Sequence, residues 1–371
     1  MATADITIPE DLKPADGRFG AGPSKVPASA VNALAERGLD TMGTSHRKSA
    51  VKKQVKRLQE GLAEFYSLPE GYEVVLGVGG TTAFWDVAAF SLVRTKAQAA
   101  TFGEFGSKFA KELAAPHLEA PSVRKAEPGS AARLEAEEGV DFYATPHNET
   151  STGVAVDVRR VAAEGALTAH DATSSAMGLA VDVNETDCYY FAPQKGLASD
   201  GGLWIALMSP AALERTEEIA ASGRHIPGFL DLKTAVDNSR KNQTYNTPAV
   251  ATVILAAEQT DLLNSQGGLD YAVKRCAASA ENLYSWAESR DFASPYVTDA
   301  ALRSNVVGTV DFEGVDAAEI AAVLRANGIL DTEPYRKLGR NQLRIAMYPA
   351  VDPADVAKLT ESIDYVVERL A

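Results

Sequence analysis

The stretch Glu73–Val93, EVVLGVGGTTAFWDVAAFSLV, decides the fold class. A short apolar run gives way to the pair Gly79-Gly80, then to two threonines, then to apolar residues at helical spacing. That is the strand, loop, helix order of an α/β unit. At such a join the first amides of the helix are free, and aligned backbone dipoles there hold anions. Taken alone, glycines at a turn with a threonine cap would explain the same residues.

The order recurs outward from this stretch. Strand-like runs stand at Gln98–Phe102, Asp141–Thr145, Gly165–Asp171, Cys188–Pro193 and Leu203–Met208. Helical or turn-rich segments such as Gly103–Pro116 and Asp157–Gly165 separate them. Alternation of this kind predicts a mostly parallel sheet covered by helices, with ligands bound beyond the carboxyl ends of the strands. Upstream, Val51, Val55, Leu58, Leu62 and Phe65 recur at spacings of three and four and predict the first strong helix. Downstream, Pro248–Arg290 reads as two helices broken at Gly267-Gly268. Beyond them, strands near Ser304–Phe312 and Asn341–Pro349 flank a helix over Asp316–Gly328, and Val351–Leu370 is an amphipathic helix. The expected division is a polar lead over 1–16, a large domain over 17–266 and a small α+β domain over 267–371.

The 371 residues suffice for two domains with ample cores. A net charge of −14 argues against nucleic acid or an anionic membrane as the main partner, so an anionic ligand needs a local cluster of cations. Two cysteines, Cys188 and Cys276, offer neither a disulfide framework nor a metal-ligand spacing. The five histidines are not paired at zinc-site separations, and no metal is expected. With no signal-like amino terminus and no apolar run of membrane length, a cytoplasmic protein is expected.

One lysine stands out. In YYFAPQKGLASDGG (Tyr189–Gly202), Lys195 follows an aromatic strand and precedes Gly196. Such a lysine is either a solvated loop residue or a desolvated, reactive amine of the kind that forms a Schiff base with a carbonyl group. Asp171, in TAHDATSSAMG, ends an apolar run and is either a turn or cap residue or a carboxylate presented at a strand end. Phe105 is a candidate cover for a flat ligand as well as an ordinary core residue. Arg336, Lys337, Arg340 and Arg344 crowd into Pro334–Pro349 of an otherwise acidic chain, as an anion site or as a solvated edge.

Taken together, FGAGPSKVP (Phe19–Pro27), SHR (Ser45–Arg47), the Gly79-Gly80 loop, HNETSTG (His147–Gly153), DATSS (Asp171–Ser175), APQKG (Ala192–Gly196), YNTP (Tyr245–Pro248) and LRIAMYP (Leu343–Pro349) resemble the phosphoserine aminotransferase family, within class V of the pyridoxal-phosphate enzymes. The resemblance covers nearly the whole chain and implies the aspartate-aminotransferase type of fold. It implies that Lys195 bonds the cofactor pyridoxal 5′-phosphate and that Asp171 partners its pyridine nitrogen. It further implies Thr150 at the ring hydroxyl, Phe105 over the ring, and Gly80, Thr81 and Gln194 at the phosphate. Asn246 and Thr247 would reach that phosphate from the other subunit of a homodimer. Arg47 and Arg344 match substrate-binding arginines, Arg344 at the α-carboxylate.

The chain departs from the pattern in having Thr81 where relatives have an arginine and Phe105 where they have a tryptophan. A His-Arg pair that binds substrate phosphate is matched by Lys337 and Leu338, which leaves Arg336, Lys337 and Arg340 as candidates for that anion. The substrates implied are O-phospho-L-serine, 2-oxoglutarate and L-glutamate, with a related step of pyridoxine synthesis as a second use. Two other readings are a transaminase of the alanine-glyoxylate or serine-pyruvate type and a non-catalytic anion-binding α/β protein.

Overall fold

The computed structural model describes residues 6–370. Two helices come first, α1 (Ala28–Thr41) and α2 (Ser49–Phe65). The deciding stretch then forms β1 (Glu73–Val78) and α3 (Thr81–Ser91). After it come β2 (Ala97–Thr101), α4 (Glu104–Glu112), β3 (Ser122–Lys125), β4 (Phe142–Pro146), a small hairpin of β5 (Asn148–Glu149) and β6 (Val154–Ala155), β7 (Leu167–Asp171), β8 (Cys188–Phe191) and β9 (Leu203–Met208). Helices α5 (Pro210–Ala221), α6 (Leu232–Ser239), α7 (Val250–Ser265) and α8 (Gly268–Glu288) follow. The chain closes with β10 (Ala293–Pro295), β11 (Val307–Phe312), α9 (Ala317–Ala326), β12 (Gln342–Ala346) and α10 (Pro353–Leu370).

Seven strands form one sheet in the order β1-β9-β8-β7-β4-β2-β3. All run parallel except β9, which pairs antiparallel with both β1 and β8. The alternation of side chains explains why β9 is apolar throughout. Trp204, Ala206 and Met208 pack with α3, α4, α5 and α6 on one face; Leu203, Ile205 and Leu207 pack with α2, α7 and α8 on the other. The carboxyl ends of β1, β4, β7 and β8 therefore share one rim, the rim on which ligands of such sheets bind.

A second sheet, β10-β11-β12, is antiparallel and packs on α8, α9 and α10. Its core takes in Ile6, Ile8 and Phe19, and the Ile8 amide donates to Asn327 Oδ1 at 2.9 Å. The part of the amino-terminal lead that lies within the described residues is thus built into the second core rather than lying free; residues 1–5 fall outside the described range. Two further departures from the sequence reading have simple causes. Helix α1 buries only Ala30, Gly38 and Thr41, so its periodicity is weak. Asp157–Gly165 contains no helix, because its polar groups bond to turns around Thr168 and Glu185. Among the described residues no helix is long and apolar enough to cross a membrane.

Candidate active site

A cavity of roughly 290 Å³ opens at the shared rim of the large sheet. The loop after β8 delivers Lys195 to it, β7 delivers Asp171, and the segment after β5 delivers Thr150. Helix α3 contributes Thr81, Thr82 and Trp85, and β12 of the second sheet contributes Arg344.

Lys195 is buried, and its Nζ donates to Thr150 Oγ1 at 3.0 Å. Burial lowers its pKa from 10.5 to about 8; Asp171 opposes that shift and the Arg344 cation adds to it. The amine is thus partly neutral near physiological pH, as a nucleophilic lysine requires. A side chain at Gly22 would put its Cβ 2.7 Å from Lys195 Cε, at a backbone φ of +152°, so only glycine lets the amino-terminal loop close over the lysine.

Asp171 is buried as well, which raises its pKa, while donors from Thr173 and Trp85 pull the other way. Thr173 N and Oγ1 donate to Oδ1 at 2.9 and 2.5 Å, and Trp85 Nε1 donates to Oδ2 at 3.1 Å. These donors hold the carboxylate in place and favour its charged form, against the burial that raises its pKa.

At the phosphate-like end, Gly80 caps α3 at a φ of +79°. That positive-φ turn starts the helix at the cavity wall, where Thr81 and Thr82 form part of the lining and the first amides have no partner within the helix. Gln194 lies beside Lys195, and its Oε1 is buried with no partner. Asn148 Oδ1 and Arg344 Nε, both in the cavity wall, are also buried and unpartnered. Buried polar atoms are nearly always satisfied, so three orphans around one cavity mark a place for a polar ligand. The donor set fits pyridoxal phosphate: an amine for its aldehyde, a carboxylate for its ring nitrogen, and helix-start amides with two hydroxyls for its phosphate.

Phe105 stands on α4 with Lys195 Nζ 5.4 Å from its ring centroid. Tyr335 lies 5.9 Å from it, and Arg344 is 5.5 Å above Tyr335 while donating to the Thr150 carbonyl at 3.3 Å. Behind Phe105, the buried Glu149 carboxylate accepts the amides of Phe105 and Gly106, at 3.1 and 3.0 Å, and Ser151 Oγ at 2.7 Å. It caps α4 from outside the helix.

Other sequence candidates lie elsewhere. Arg340 does not line the cavity: its guanidinium forks onto Asp311, with Nε 2.9 Å from Oδ2, and lies over Tyr296. Lys337 is ion-paired with Glu104 at the edge of a second cavity of about 310 Å³ that shares Tyr335 with the first. Arg336 is exposed on the same short turn, and no ion pair to it is found among the described residues. Arg47, Asn246 and Thr247 are exposed and do not line the cavity of this chain, although Thr247 Oγ1 and His46 Nδ1 meet at 3.2 Å, which makes SHR and YNTP one surface. Residues absent from the sequence reading are Trp85, Asn148, Glu149, Thr173, Ser174 and Tyr335. Asn148, Glu149, Thr173 and Ser174 lie inside the motifs HNETSTG and DATSS, and Trp85 stands one helical turn beyond the threonines that follow the glycine pair.

The family model described as aminotransferase class-V matches residues 18–332. A phosphoserine aminotransferase of Nocardioides sp. is 62% identical over 373 residues, covering 99% of this chain and 100% of that protein. Among solved structures, a phosphoserine aminotransferase of Cytophaga hutchinsonii superposes with a TM-score of 0.87 at 22% identity, covering 96% of this chain and 100% of that one. A phosphoserine aminotransferase of Trichomonas vaginalis solved with pyridoxal phosphate bound gives 0.81 at 19% identity, over 94% and 99%. The structural likenesses speak for the fold; identity of this extent over the whole chain is what common descent leaves, and the chain belongs to the class-V aminotransferases, which depend on pyridoxal phosphate.

Proposed function

We propose that the chain interconverts O-phospho-L-serine and 2-oxoglutarate with 3-phosphooxypyruvate and L-glutamate. The carrying observation is the buried Lys195 amine, 3.0 Å from Thr150 Oγ1 and in the same cavity as Asp171, in a chain 62% identical to a phosphoserine aminotransferase. Bound pyridoxal phosphate supplies an aldehyde for amine exchange and a ring that draws off the negative charge developing at the substrate Cα. Lys195 would be the residue that bonds the aldehyde, and its amine, once displaced by the substrate amine, would be the base that takes the Cα proton. Asp171 keeps the proton on the ring nitrogen. The α3 amides, Thr81 and Gln194 hold the phosphate group, Thr150 meets the ring hydroxyl, and Phe105 shields one face of the ring from water.

Arg344 takes the α-carboxylate, since its Nε is unpartnered and its planar fork matches that group. Of the cations on the 336–340 segment, Arg336 is the candidate for the substrate phosphate, because Lys337 and Arg340 are neutralised by Glu104 and Asp311 while Arg336 has no ion pair among the described residues.

The protein works as a homodimer in this reading. Leu39 is 87% exposed and Met42 and Tyr245 about half exposed, beside Arg47, Asn246 and Thr247, a polar and apolar mixture suited to an interface. Those three polar residues would complete the cavity of the second subunit. Active protein that sediments as a monomer, or an Asn246→Ala variant with undiminished cofactor affinity, would refute the shared site.

The decisive experiment is a spectrum followed by turnover. Purified protein given pyridoxal phosphate turns yellow, borohydride fixes the cofactor on Lys195, and phosphoserine is converted faster than alanine or serine. A preference for the unphosphorylated amines would replace this reading with the alanine-glyoxylate or serine-pyruvate type. A colourless protein would leave only anion binding. Conversion of a 4-phosphooxy-threonine in the same assay would add the pyridoxine step.

A further inference from the structure

The two oxygens of Asp171 are occupied unequally. Oδ1 takes both the amide and the hydroxyl of Thr173, which uses its two lone pairs. Oδ2 accepts the indole N–H of Trp85 at 3.1 Å and keeps a second lone pair; the Tyr190 hydroxyl, buried and without another partner, lies beside both groups, and Asp171 itself lines the cavity. Trp85 is 4% exposed and stacks on Phe109, centroids 5.9 Å apart and planes 19° from parallel. Its ring is therefore fixed, and with it the direction of the N–H.

Trp85 lies one turn into α3, whose first residues, Thr81 and Thr82, line the same cavity. A turn of helix rises about 5.4 Å, so one rigid element spans the distance from the anion-binding amides to the aspartate. Other ionisable groups facing Asp171 are Lys195, Tyr189 and Tyr190; Tyr189 is committed to His147 at 3.0 Å.

We propose that Trp85 is a positioning residue for the transamination: its indole N–H holds Asp171 Oδ2 so that the open lone pair meets the pyridine nitrogen. Helix α3 thereby sets both ends of the cofactor at once, the phosphate through its amides and the ring nitrogen through Trp85. This assignment rests on the transaminase reading.

The test replaces Trp85 with 3-benzothienylalanine, which keeps the ring shape but puts sulfur in place of N–H, and separately with Phe. Each protein is loaded with pyridoxal phosphate carrying 15N in the ring. Expected for the sulfur isostere are a 15N shift displaced toward the unprotonated value, cofactor affinity weaker by about tenfold, and kcat lower by about tenfold with KM for the amino donor little changed, since a hydrogen bond to a charged group is worth about that factor. An isostere with the wild-type 15N shift and wild-type cofactor affinity would overturn the proposal. So would a loss confined to the Phe variant, which would reduce Trp85 to a packing role. Wild-type protein that takes up no pyridoxal phosphate would instead overturn the transaminase reading, and this assignment with it.

Discussion

Lys195 Nζ and Thr150 Oγ1 are hydrogen-bonded at 3.0 Å across 45 residues of sequence. The Thr150 hydroxyl donates to Ser174 Oγ at 2.7 Å, and the Ser174 hydroxyl donates to the Asn148 backbone carbonyl at 3.1 Å. The chain of donors leaves a Thr150 lone pair, not its proton, facing the amine. Thr150→Val removes that acceptor without changing the shape of the wall. Turnover falls by roughly 10- to 100-fold, the effect of a lost charge-assisted hydrogen bond, while cofactor is retained. Steady-state kinetics alongside the absorption spectrum of the loaded variant check both parts.

The depressed pKa of Lys195 has a consequence for stability. In the unfolded chain the amine titrates at 10.5, and in the folded, cofactor-free protein at about 8. Between those values the unfolded state binds the extra proton, so this group's contribution to stability rises with pH, and below about 8 its full burial penalty is present. Lys195→Met lacks that penalty. Its stability advantage over the wild type shrinks by about 1.6 kcal/mol between pH 8 and 9.5, a little less than the limiting 1.36 kcal/mol per unit because the folded amine is still half protonated at pH 8. Urea unfolding of the two cofactor-free proteins at those pH values measures it; a constant difference would mean that the amine is not desolvated.

Two arginines four residues apart separate sharply. Arg344→Gln raises KM for the amino donor by roughly 10- to 100-fold, because a planar fork onto a carboxylate is lost. Arg340→Gln changes KM by less than about twofold, because Asp311 already holds that guanidinium on an exposed edge. Initial rates over a range of phosphoserine concentrations distinguish them.

Glu149 is structural in its first effect. Its carboxylate satisfies the amides of Phe105 and Gly106 at the start of α4. Glu149→Ala orphans them in a buried place and lowers stability by about 2–3 kcal/mol. Chemical denaturation of the cofactor-free protein gives the value. Phe105 then loses its fixed position, and cofactor affinity falls as well.

Much of this site was legible in the sequence because its residues lie where strands end. Asp171 ends and Lys195 follows a short apolar run bounded by turn residues, which reads as a buried strand, and Gly80 and Thr81 stand at the turn into a helix. What escaped notice was contact between distant segments. Nothing local to Trp85 says that its indole will meet an aspartate 86 positions later. Arg340 shows the opposite failure: a cation inside a basic cluster reads as a ligand until the fold supplies Asp311 across the β11-β12 pair. Helix α1 was missed for a related reason, since residues such as Leu39 face outward and hide its period.

The single reversed strand, β9, decides where the amine can be. A parallel successor to β8 would need a crossover of a dozen or more residues running back beneath the sheet. Because β9 runs the other way, the link from Phe191 to Leu203 starts and finishes on one rim, with the Gly79 amide bonded to the Gly202 carbonyl at 3.0 Å. Lys195 rides a span footed at both ends in the sheet. It is delivered by the direction of a neighbouring strand, so a chain cut within this span would release the amine even though every side chain of the cavity stayed in the sequence.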